Sequence, residues 1–542
     1  MPEQKKTIIV AATAAALLAG TIAAYLYFKQ NLDKQTTPLE SAKLVPEQAL
    51  MAGFITTDNQ TWAKLQQFGT PEAQQLAGGI LQNLQNQILT DSNLNFEKDI
   101  KPWMGGIMFA VMPQPSQTTQ PNLLLVVGIK NKVAALNFAN RLKTQNQATL
   151  QEKQHQNITY TNITEKAGAT YSTAVLDEHL LIAFEEKTLQ AAIDTFKGKP
   201  SFAKNPQAAP LLEKGVDLPN PLAQIYLTNY SELIKQYYLN KPDAPKVSPL
   251  ALQRLEQIKV VVGGLGADSQ GLRLKAKAFF NPQTIQQEFK PSPGKIITQF
   301  PSETIALING SGLNQYWNDL VKDSQNTPEI KQSLDNLRET LKNTVNLDAD
   351  TELFNWMDGE FGLGLIASNQ GILSQFGFGS ALIVETTNRK AAEASLNKIQ
   401  TVLRQNVPFL TSNSTKINGK EITEWKIPQG TVLTQGWLND KSVFITLGPL
   451  ADSLITGGNS LQTNPAFKTA TGNLPQPNQG YLYIDIEKTS TILNSLSQAA
   501  GTPLPPETSA IFNSVNGIAG TANWPDKTTS QVEILFSLKK KS

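Results

Sequence analysis

The chain has 542 residues, with 47 Lys and Arg against 45 Asp and Glu, and it contains no cysteine. The balanced charge excludes the broad cationic surface that attracts nucleic acid, so we expect no nucleic-acid partner. The lack of cysteine excludes disulfides, thiolate catalysis and zinc sites with cysteine ligands. A chain of this length can form two domains that are stabilised by core packing alone.

Residues 8–28 predict a transmembrane anchor. They form a charge-free apolar run of 21 residues, which is long enough as a helix to cross the hydrocarbon core of a membrane. Residues 1–7 include Lys5 and Lys6, so we expect a cytoplasmic N-terminus and an exported bulk. A cleaved signal peptide is the alternative, although its apolar region is normally about 7 to 15 residues long. The lipid bilayer is then a partner through the anchor, and the polar residues 29–43 predict a tether.

The sequence after the tether contains an internal duplication. DIKPWMGG at Asp99–Gly106 and ELFNWMDG at Glu352–Gly359 stand 253 residues apart, and the flanking elements recur in the same order. For example, VPEQALMAGF before the first copy matches FPSETIALIN before the second. A repeated series of this kind indicates two homologous units. We place the first repeat at residues 44–280 and the second at 300–538, with a Pro-rich linker at 281–299 between them and a basic tail at 539–542.

The elements within each repeat predict an α+β fold. Apolar residues at every fourth position predict an amphipathic helix over Pro71–Thr90 that covers a sheet. Apolar runs from Asn122 and Ser380, each followed by a helical period, predict a strand and then a helix. Leu176–His179 and Leu438–Lys441 each separate two apolar runs and predict hairpins. We therefore expect two tandem homologous repeats after the transmembrane helix, each a mainly antiparallel sheet with helices packed on one face.

Two stretches of the first repeat carry a family resemblance. They are PEQALMAGFITTDNQTWAKLQQFGTPEAQQ and the later FEKDIKPWMGG, with Pro46, Trp62, Phe68–Pro71, Asp99 and Trp103 as the most specific positions. This order resembles an uncharacterised, mainly cyanobacterial family known as domain of unknown function 3352, over nearly everything after the anchor. The resemblance implies a membrane-anchored protein whose bulk lies in the periplasm or the thylakoid lumen. It implies no known activity and no catalytic residue.

Histidine and nucleotide chemistry have little support in the sequence. The chain contains only His155 and His179, and neither is repeated in the other half. A catalytic triad needs a histidine held by a carboxylate, and a zinc site needs several spaced ligands. We expect both histidines to be exposed and unpaired, and we expect no metal. The glycine run at 263–266 lies in strand-like sequence without the helix that a dinucleotide site requires, so we expect no cofactor.

The duplicated motif is the most conspicuous candidate site. Its acidic residues, with Asp358 and Glu360 beside the second copy, suggest a carboxylate pair of the kind that hydrolyses glycosides. A structural role explains the motif better, because an acid four residues before a tryptophan typically caps a helix or accepts a hydrogen bond from a backbone or indole N–H. The tryptophans are then core anchors and the glycines allow a tight turn. The predicted structural residues are Asp99, Trp103, Gly106, Glu352, Trp356 and Gly359.

Two classes of function remain after these exclusions. The first is a non-enzymatic binding or scaffold protein for a partner protein, a peptide or an apolar ligand, which the scarcity of histidine and the lack of cysteine favour. The alternative is an exported, carboxylate-dependent hydrolase that acts on glycan or peptide. Two carboxylates roughly 5 to 9 Å apart in a deep cleft would indicate the hydrolase. A continuous apolar tunnel would indicate a lipid ligand.

Overall fold

The chain folds around one large antiparallel β-sheet. The computed structural model describes residues 36–75, 96–113, 122–143, 149–164, 170–236, 252, 255–283, 290–325, 327–407 and 409–541. The predicted N-terminus and anchor, residues 1–28, lie outside these ranges. So do residues 76–90, the larger part of the predicted amphipathic helix. Within the described ranges, no helix has the length and apolar character needed to cross a membrane.

In the described part of the chain, each repeat supplies ten strands to this sheet. The strands of the first repeat are β1 (Met51–Ile55), β2 (Met104–Met112), β3 (Asn122–Ile129), β4 (Thr149–His155), β5 (Ile158–Thr164), β6 (Thr170–Leu176), β7 (His179–Ala183), β8 (Pro221–Leu227), β9 (Ile258–Ala267) and β10 (Gly271–Phe280). Those of the second are β11 (Thr304–Ser311), β12 (Glu360–Ala367), β13 (Phe378–Glu385), β14 (Thr411–Ile417), β15 (Lys420–Ile427), β16 (Gly430–Trp437), β17 (Ser442–Leu447), β18 (Tyr481–Asp485), β19 (Val515–Asp526) and β20 (Thr529–Leu538).

The two repeats pair their strands in the same order. Across the sheet the first repeat runs β4-β5-β6-β7-β3-β2-β1-β8-β9-β10. The second runs β14-β15-β16-β17-β13-β12-β11-β18-β19-β20. Every one of these pairings is antiparallel, so the duplication seen in the sequence is also a duplication of topology.

The repeats join edge to edge through β10 and β20. These ten-residue strands occupy equivalent places in the two repeats, and they pair antiparallel with Lys275 directly opposite Glu533. Equivalent positions therefore face each other across a local pseudo-twofold axis. A second connection lies at the end of β20, where the backbone N–H of Gly69 donates to the carbonyl oxygen of Lys539 at 2.8 Å.

A buried charge cluster lies at this junction. Arg273 Nε donates to Asp268 Oδ2 at 2.8 Å, and Arg273 Nη1 donates to Glu533 Oε1. The side chains of Arg273 and Glu533 are each only 7% exposed, and Lys275 Nζ lies 3.9 Å from Glu533 Oε2. Burial of such charges is tolerated only because they are paired and hydrogen-bonded.

The helices are distributed along both repeats. Short 3-10 turns occur at Leu65–Gln67, Phe202–Lys204, Lys295–Gln299, Gly371–Gln375 and Leu461–Thr463, and single π-helical turns at Phe96–Ile100 and Ala349–Leu353. The α-helices are α1 (Pro38–Ala42), α2 (Asn59–Ala63), α3 (Lys132–Lys143), α4 (Glu186–Phe196), α5 (Ala209–Lys214), α6 (Tyr230–Ile234), α7 (Leu313–Ser324), α8 (Pro328–Val345), α9 (Arg389–Asn406), α10 (Ala451–Ile455), α11 (Pro465–Thr471), α12 (Ile486–Ala499) and α13 (Pro506–Ser514).

Helices pack on both faces of the sheet. Ile383 and Val384 are consecutive residues of β13 and both are buried, so they point to opposite faces. Ile383 belongs to the main core of the second repeat, which also contains Phe467 of α11. Val384 packs with Trp356 and with Leu396 of α9 on the other side.

The predicted fold, in which each of the two repeats forms its own sheet with helices packed on one face, is therefore wrong. One sheet of twenty strands runs through both repeats. Helices cover parts of both faces because central strands such as β13 are apolar on both sides. The described residues contain no membrane-crossing helix.

Candidate functional site

The duplicated motif forms a corner at the start of a strand in each repeat. Trp103 Nε1 donates to the backbone oxygen of Asp99 at 2.9 Å, and Trp356 Nε1 donates to the backbone oxygen of Glu352 at 3.1 Å. Both acidic residues lie in single π-helical turns, and both indoles are buried. The indole N–H is thus satisfied by the main chain, and the acidic side chain plays no part in that bond.

The two copies of the motif do not meet. They precede β2 and β12, and eight strands lie between those two strands, so the path along the sheet from one copy to the other is roughly 40 Å at normal strand spacing. The side chain of Glu352 accepts a hydrogen bond from Lys398 Nζ, and this contact holds the pKa of Glu352 below its usual value. No carboxylate pair is formed between the copies.

The motif glycines allow close packing. A Cβ atom on Gly106 would lie 2.2 Å from the ring of Phe54, and one on Gly359 would lie 2.7 Å from Glu385 Cβ. Contacts this short are incompatible with any side chain unless the neighbours move.

Glu360 and Glu385 lie on the neighbouring strands β12 and β13. Burial, and to a lesser extent the nearby Glu360, raise the pKa of Glu385. Glu360 itself is buried: its Oε1 accepts from Ser292 Oγ at 2.8 Å and its Oε2 accepts from the backbone N–H of Ile296 at 3.1 Å. Both carboxylate oxygens of Glu360 thus accept hydrogen bonds from the chain segment before β11. Glu360 therefore has a structural role, and the Glu360–Glu385 pair gives no support to a hydrolase.

The prediction that both histidines are exposed and unpaired is wrong. His155 Nε2 lies 2.6 Å from Asp194 Oδ1. His179 is buried, and its Nε2 lies 3.2 Å from the hydroxyl of the equally buried Ser41 in α1. Burial lowers the pKa of His179 from 6.5 to about 4. His179 Nδ1 has no hydrogen-bond partner in the described part of the chain, so the serine–histidine pair lacks the orienting carboxylate of a triad.

A different feature stands out as the candidate binding site: an uncovered apolar strip on the sheet. Leu363, Ile308 and Leu482 are direct neighbours on β12, β11 and β18, and their exposed fractions are 49%, 51% and 40%. Direct partners in register point to the same face of a sheet. Three large apolar side chains therefore stand side by side in contact with solvent.

This strip is part of a longer row that crosses the junction between the repeats. The apolar row, as we name it, runs in register from β17 to β3 through Ile445, Leu382, Leu363, Ile308, Leu482, Gly520, Ile534, Leu274, Leu265, Ala223, Ile55, Ile107 and Val127. It contains no charged or hydrogen-bonding side chain. Leu274 and Ile55 are exposed as well. We call the side of the sheet that carries this row the open face.

The rows on either side have the same character. One consists of Leu365, Ala306, Ile484, Ile518, Phe536, Leu272 and Ala267. The other includes Ala522, Val532, Ala276, Gly263, Ile225, Gly53 and Phe109. The charged residues of β10 and β20, such as Arg273 and Glu533, point to the opposite face, because side chains alternate along a strand.

Packing closes the two ends of the apolar row and leaves its middle accessible. Leu382 and Ile445 contact the cluster beneath α9, and Val127 is buried at the other end. Near the exposed strip, Tyr316 of α7 meets Phe361 of β12 edge to face, with ring centres 6.4 Å apart. Tyr316 thus forms a rim beside the open part of the row.

Sequence reasoning missed the open face, although β12 carries a signal. In its sequence EFGLGLIA, Gly362 and Gly364 face the core beneath Phe300, and a Cβ on either would lie within 2.6 Å of that ring. The leucines between and after them must then occupy the other face. Alternation alone does not reveal whether such leucines are covered.

A family model described as "Protein of unknown function (DUF3352)" matches residues 9–538. The chain belongs to this family. The description of the DUF3352 family assigns no activity to its members. No curated protein matches the chain. Three solved structures of TP0453, in crystal forms III, I and IV, are similar at 12% identity. They cover 46%, 45% and 45% of this chain and 82%, 81% and 81% of their own, with TM-scores of 0.28, 0.26 and 0.27. Scores this low support no inference about fold or function.

Proposed function

We propose that this DUF3352 protein is a non-enzymatic binding protein for an apolar ligand, which lies across the open face of the central sheet. The observation that carries the proposal is the exposed strip Leu363, Ile308 and Leu482 within an uninterrupted apolar row. Contiguous exposed apolar surface commonly marks a binding site. These side chains are about half exposed, so complete removal of each from water contributes about 1 kcal/mol, half of the value for a fully exposed side chain.

The nature of the face favours an apolar ligand over a peptide. β11 is paired on one side with β12 and on the other with β18, so its backbone groups are already bonded within the sheet. A peptide on this face would lose hydrogen bonds to water without replacing them. A hydrocarbon chain has no such groups and gains from contact with leucine and isoleucine alone. The ligand class is therefore an acyl chain or a similar linear hydrocarbon.

The test is titration of the protein with cis-parinaric acid, a fatty acid whose fluorescence rises in apolar surroundings. We expect saturable binding by the unaltered protein. Ile308→Asn places an amide at the centre of the strip and should weaken binding by about tenfold or more, since one apolar contact is lost and the hydrocarbon would remove water from the new amide. Its stability should fall by about 1 to 2 kcal/mol, because the buried half of the isoleucine is lost from a strand that is paired on both sides.

Val133→Asn provides the matched control. Val133 lies on α3 and is 68% exposed, so the substitution has the same chemistry but is remote from the strip. This variant should bind cis-parinaric acid as tightly as the unaltered protein. Absence of saturable binding, or equal loss of affinity in both variants, would refute the proposal.

A further inference from the structure

The local pseudo-twofold axis at the junction gives the open face two equivalent halves. Lys275 and Glu533 are equivalent residues and lie opposite each other, so their neighbours on β10 and β20 correspond as well. Leu274 corresponds to Val532, and both side chains point to the open face. Their exposed fractions are 39% and 43%. The junction thus presents one exposed apolar side chain from each repeat.

Two equivalent lines of apolar residues begin at these side chains and run in opposite directions across the sheet. We name them the first track and the second track, after the repeat into which each one leads. The second track is Leu274, Ile534, Gly520, Leu482, Ile308, Leu363, Leu382 and Ile445. The first track is Val532, Ala276, Gly263, Ile225, Gly53, Phe109, Leu125 and Ile182. Neither track contains a charged or hydrogen-bonding side chain.

Both tracks are closed at the ends that lie far from the junction. The second ends at Leu382 and Ile445, which pack against the cluster beneath α9. The first ends at Ile182, which is fully buried. Before these ends, Ile225 and Phe109 of the first track keep part of their surface in contact with solvent. Each track is therefore an accessible apolar path with a fixed end.

The length of the tracks matches that of a long acyl chain. The path from β20 to β12, like the path from β10 to β2, crosses four strand spacings, which amounts to about 19 Å. An extended hydrocarbon advances by about 1.25 Å per carbon, since a C–C bond is about 1.5 Å long. Each track therefore accommodates about 15 or 16 carbons.

The tracks lie side by side where they begin. Val532 and Ile534 are two residues apart on β20, as are Leu274 and Ala276 on β10, so the tracks are about 7 Å apart at the junction. A three-carbon glycerol unit with its two ester links can span this separation. From the junction the tracks lead away from each other into the two repeats.

We propose that the open face binds one lipid molecule with two long acyl chains, spread so that one chain lies in each track. The glycerol unit lies at the junction, and the head group points away from the sheet into water, because the tracks offer it no polar side chain. The two chains share the cost of a single association, which favours such a lipid over two separate fatty acids. This proposal rests on the apolar ligand proposed above and adds the number of chains and their length.

Displacement of cis-parinaric acid from the full chain tests the proposal. Its titration should saturate at two molecules per chain, one in each track. Palmitoyl-oleoyl phosphatidylcholine should then release both at one lipid per chain, whereas oleic acid should release one for each molecule that binds. Dioctanoyl phosphatidylcholine, whose eight-carbon chains would cover about half of each track, should displace the probe at least about tenfold less well.

Ile225→Asn tests the first track at the position that corresponds to Leu482. The variant should bind one molecule of cis-parinaric acid, and its affinity for phosphatidylcholine should fall about tenfold or more, because the chain would remove water from the new amide. Val532→Asn tests the same track at a side chain that is 43% exposed, so it remains informative if Ile225→Asn does not fold. Val133→Asn is again the matched control and should behave like the unaltered protein.

The outcomes separate this proposal from the one on which it rests. If cis-parinaric acid does not bind at all, both are wrong. Saturation at one molecule per chain, unaffected by Val532→Asn, would overturn the two-chain lipid and leave a single apolar ligand in the second track. Release by oleic acid but not by phosphatidylcholine would indicate separate fatty acids and would also overturn the two-chain lipid.

Discussion

Acidification is expected to destabilise the fold through His179. In the folded chain this buried imidazole has a pKa of about 4, against 6.5 for an unperturbed histidine. Below pH 6.5 the unfolded chain takes up a proton at this residue, whereas the folded chain takes it up only near pH 4. Stability from this group is therefore complete above pH 6.5 and is lost as the pH falls towards 4.

The size of the loss follows from the shift in pKa. A difference of 2.5 units, from 6.5 to about 4, corresponds to roughly 3 kcal/mol at about 1.4 kcal/mol per unit. This is a large fraction of the stability of an ordinary domain. The physical cause is burial, because protonation would create a charge at Nδ1, which has no partner in the described residues, beside the neutral hydroxyl of Ser41.

The assay is urea unfolding of the unaltered protein and of His179→Gln across the range between pH 7 and pH 4. The glutamine keeps a polar group near Ser41 but does not titrate. Between pH 7 and pH 4 the free energy of unfolding of the variant should therefore fall by roughly 3 kcal/mol less than that of the unaltered protein. His155→Gln, at the half-exposed contact with Asp194, is the matched control and should retain the His179 contribution. Parallel pH profiles for the unaltered protein and His179→Gln would show that the reasoning is wrong.

Three further substitutions test the packing. Trp103→Phe removes the indole donor at the first corner and should cost about 1 to 3 kcal/mol, measured by urea unfolding; an unchanged midpoint would argue against the structural role of the motif. Glu533→Gln leaves Arg273 with one carboxylate fewer at the buried junction and should cost about 3 kcal/mol by the same measurement. Gly362→Ala forces a methyl group against Phe300 and should lower the melting temperature, with a loss of about 1 to 3 kcal/mol; calorimetry that shows no change would contradict this packing.

The duplication and the hairpins were accessible from sequence because they depend on local patterns. Apolar runs on both sides of Leu176–His179 and of Leu438–Lys441 predicted antiparallel pairs, and β6 pairs with β7 as β16 does with β17. The continuous apolar run ALIV of β13 indicates a strand that is buried on both faces, and the adjacent Ile383 and Val384 are indeed both buried.

Other features depend on contacts between distant parts of the chain. The junction pairs Lys275 with Glu533, and nothing in either strand specifies the other as its neighbour. His179 sits in a turn-like sequence and is buried against Ser41, which is 138 residues away. The open face could not be predicted for the same reason. Whether Ile308 is exposed depends on where the helices of the rest of the chain pack, and its own strand sequence does not specify that.

The pairing of Lys275 with Glu533 has a consequence for how a duplicated chain differs from a dimer. In a symmetric dimer of a single repeat, the residue on the twofold axis would meet an identical copy of itself, lysine against lysine or glutamate against glutamate. Fusion of the two copies removes that constraint, so each can carry a different charge at the shared position. The covalent link thus permits an attractive contact at the seam that two identical subunits cannot make.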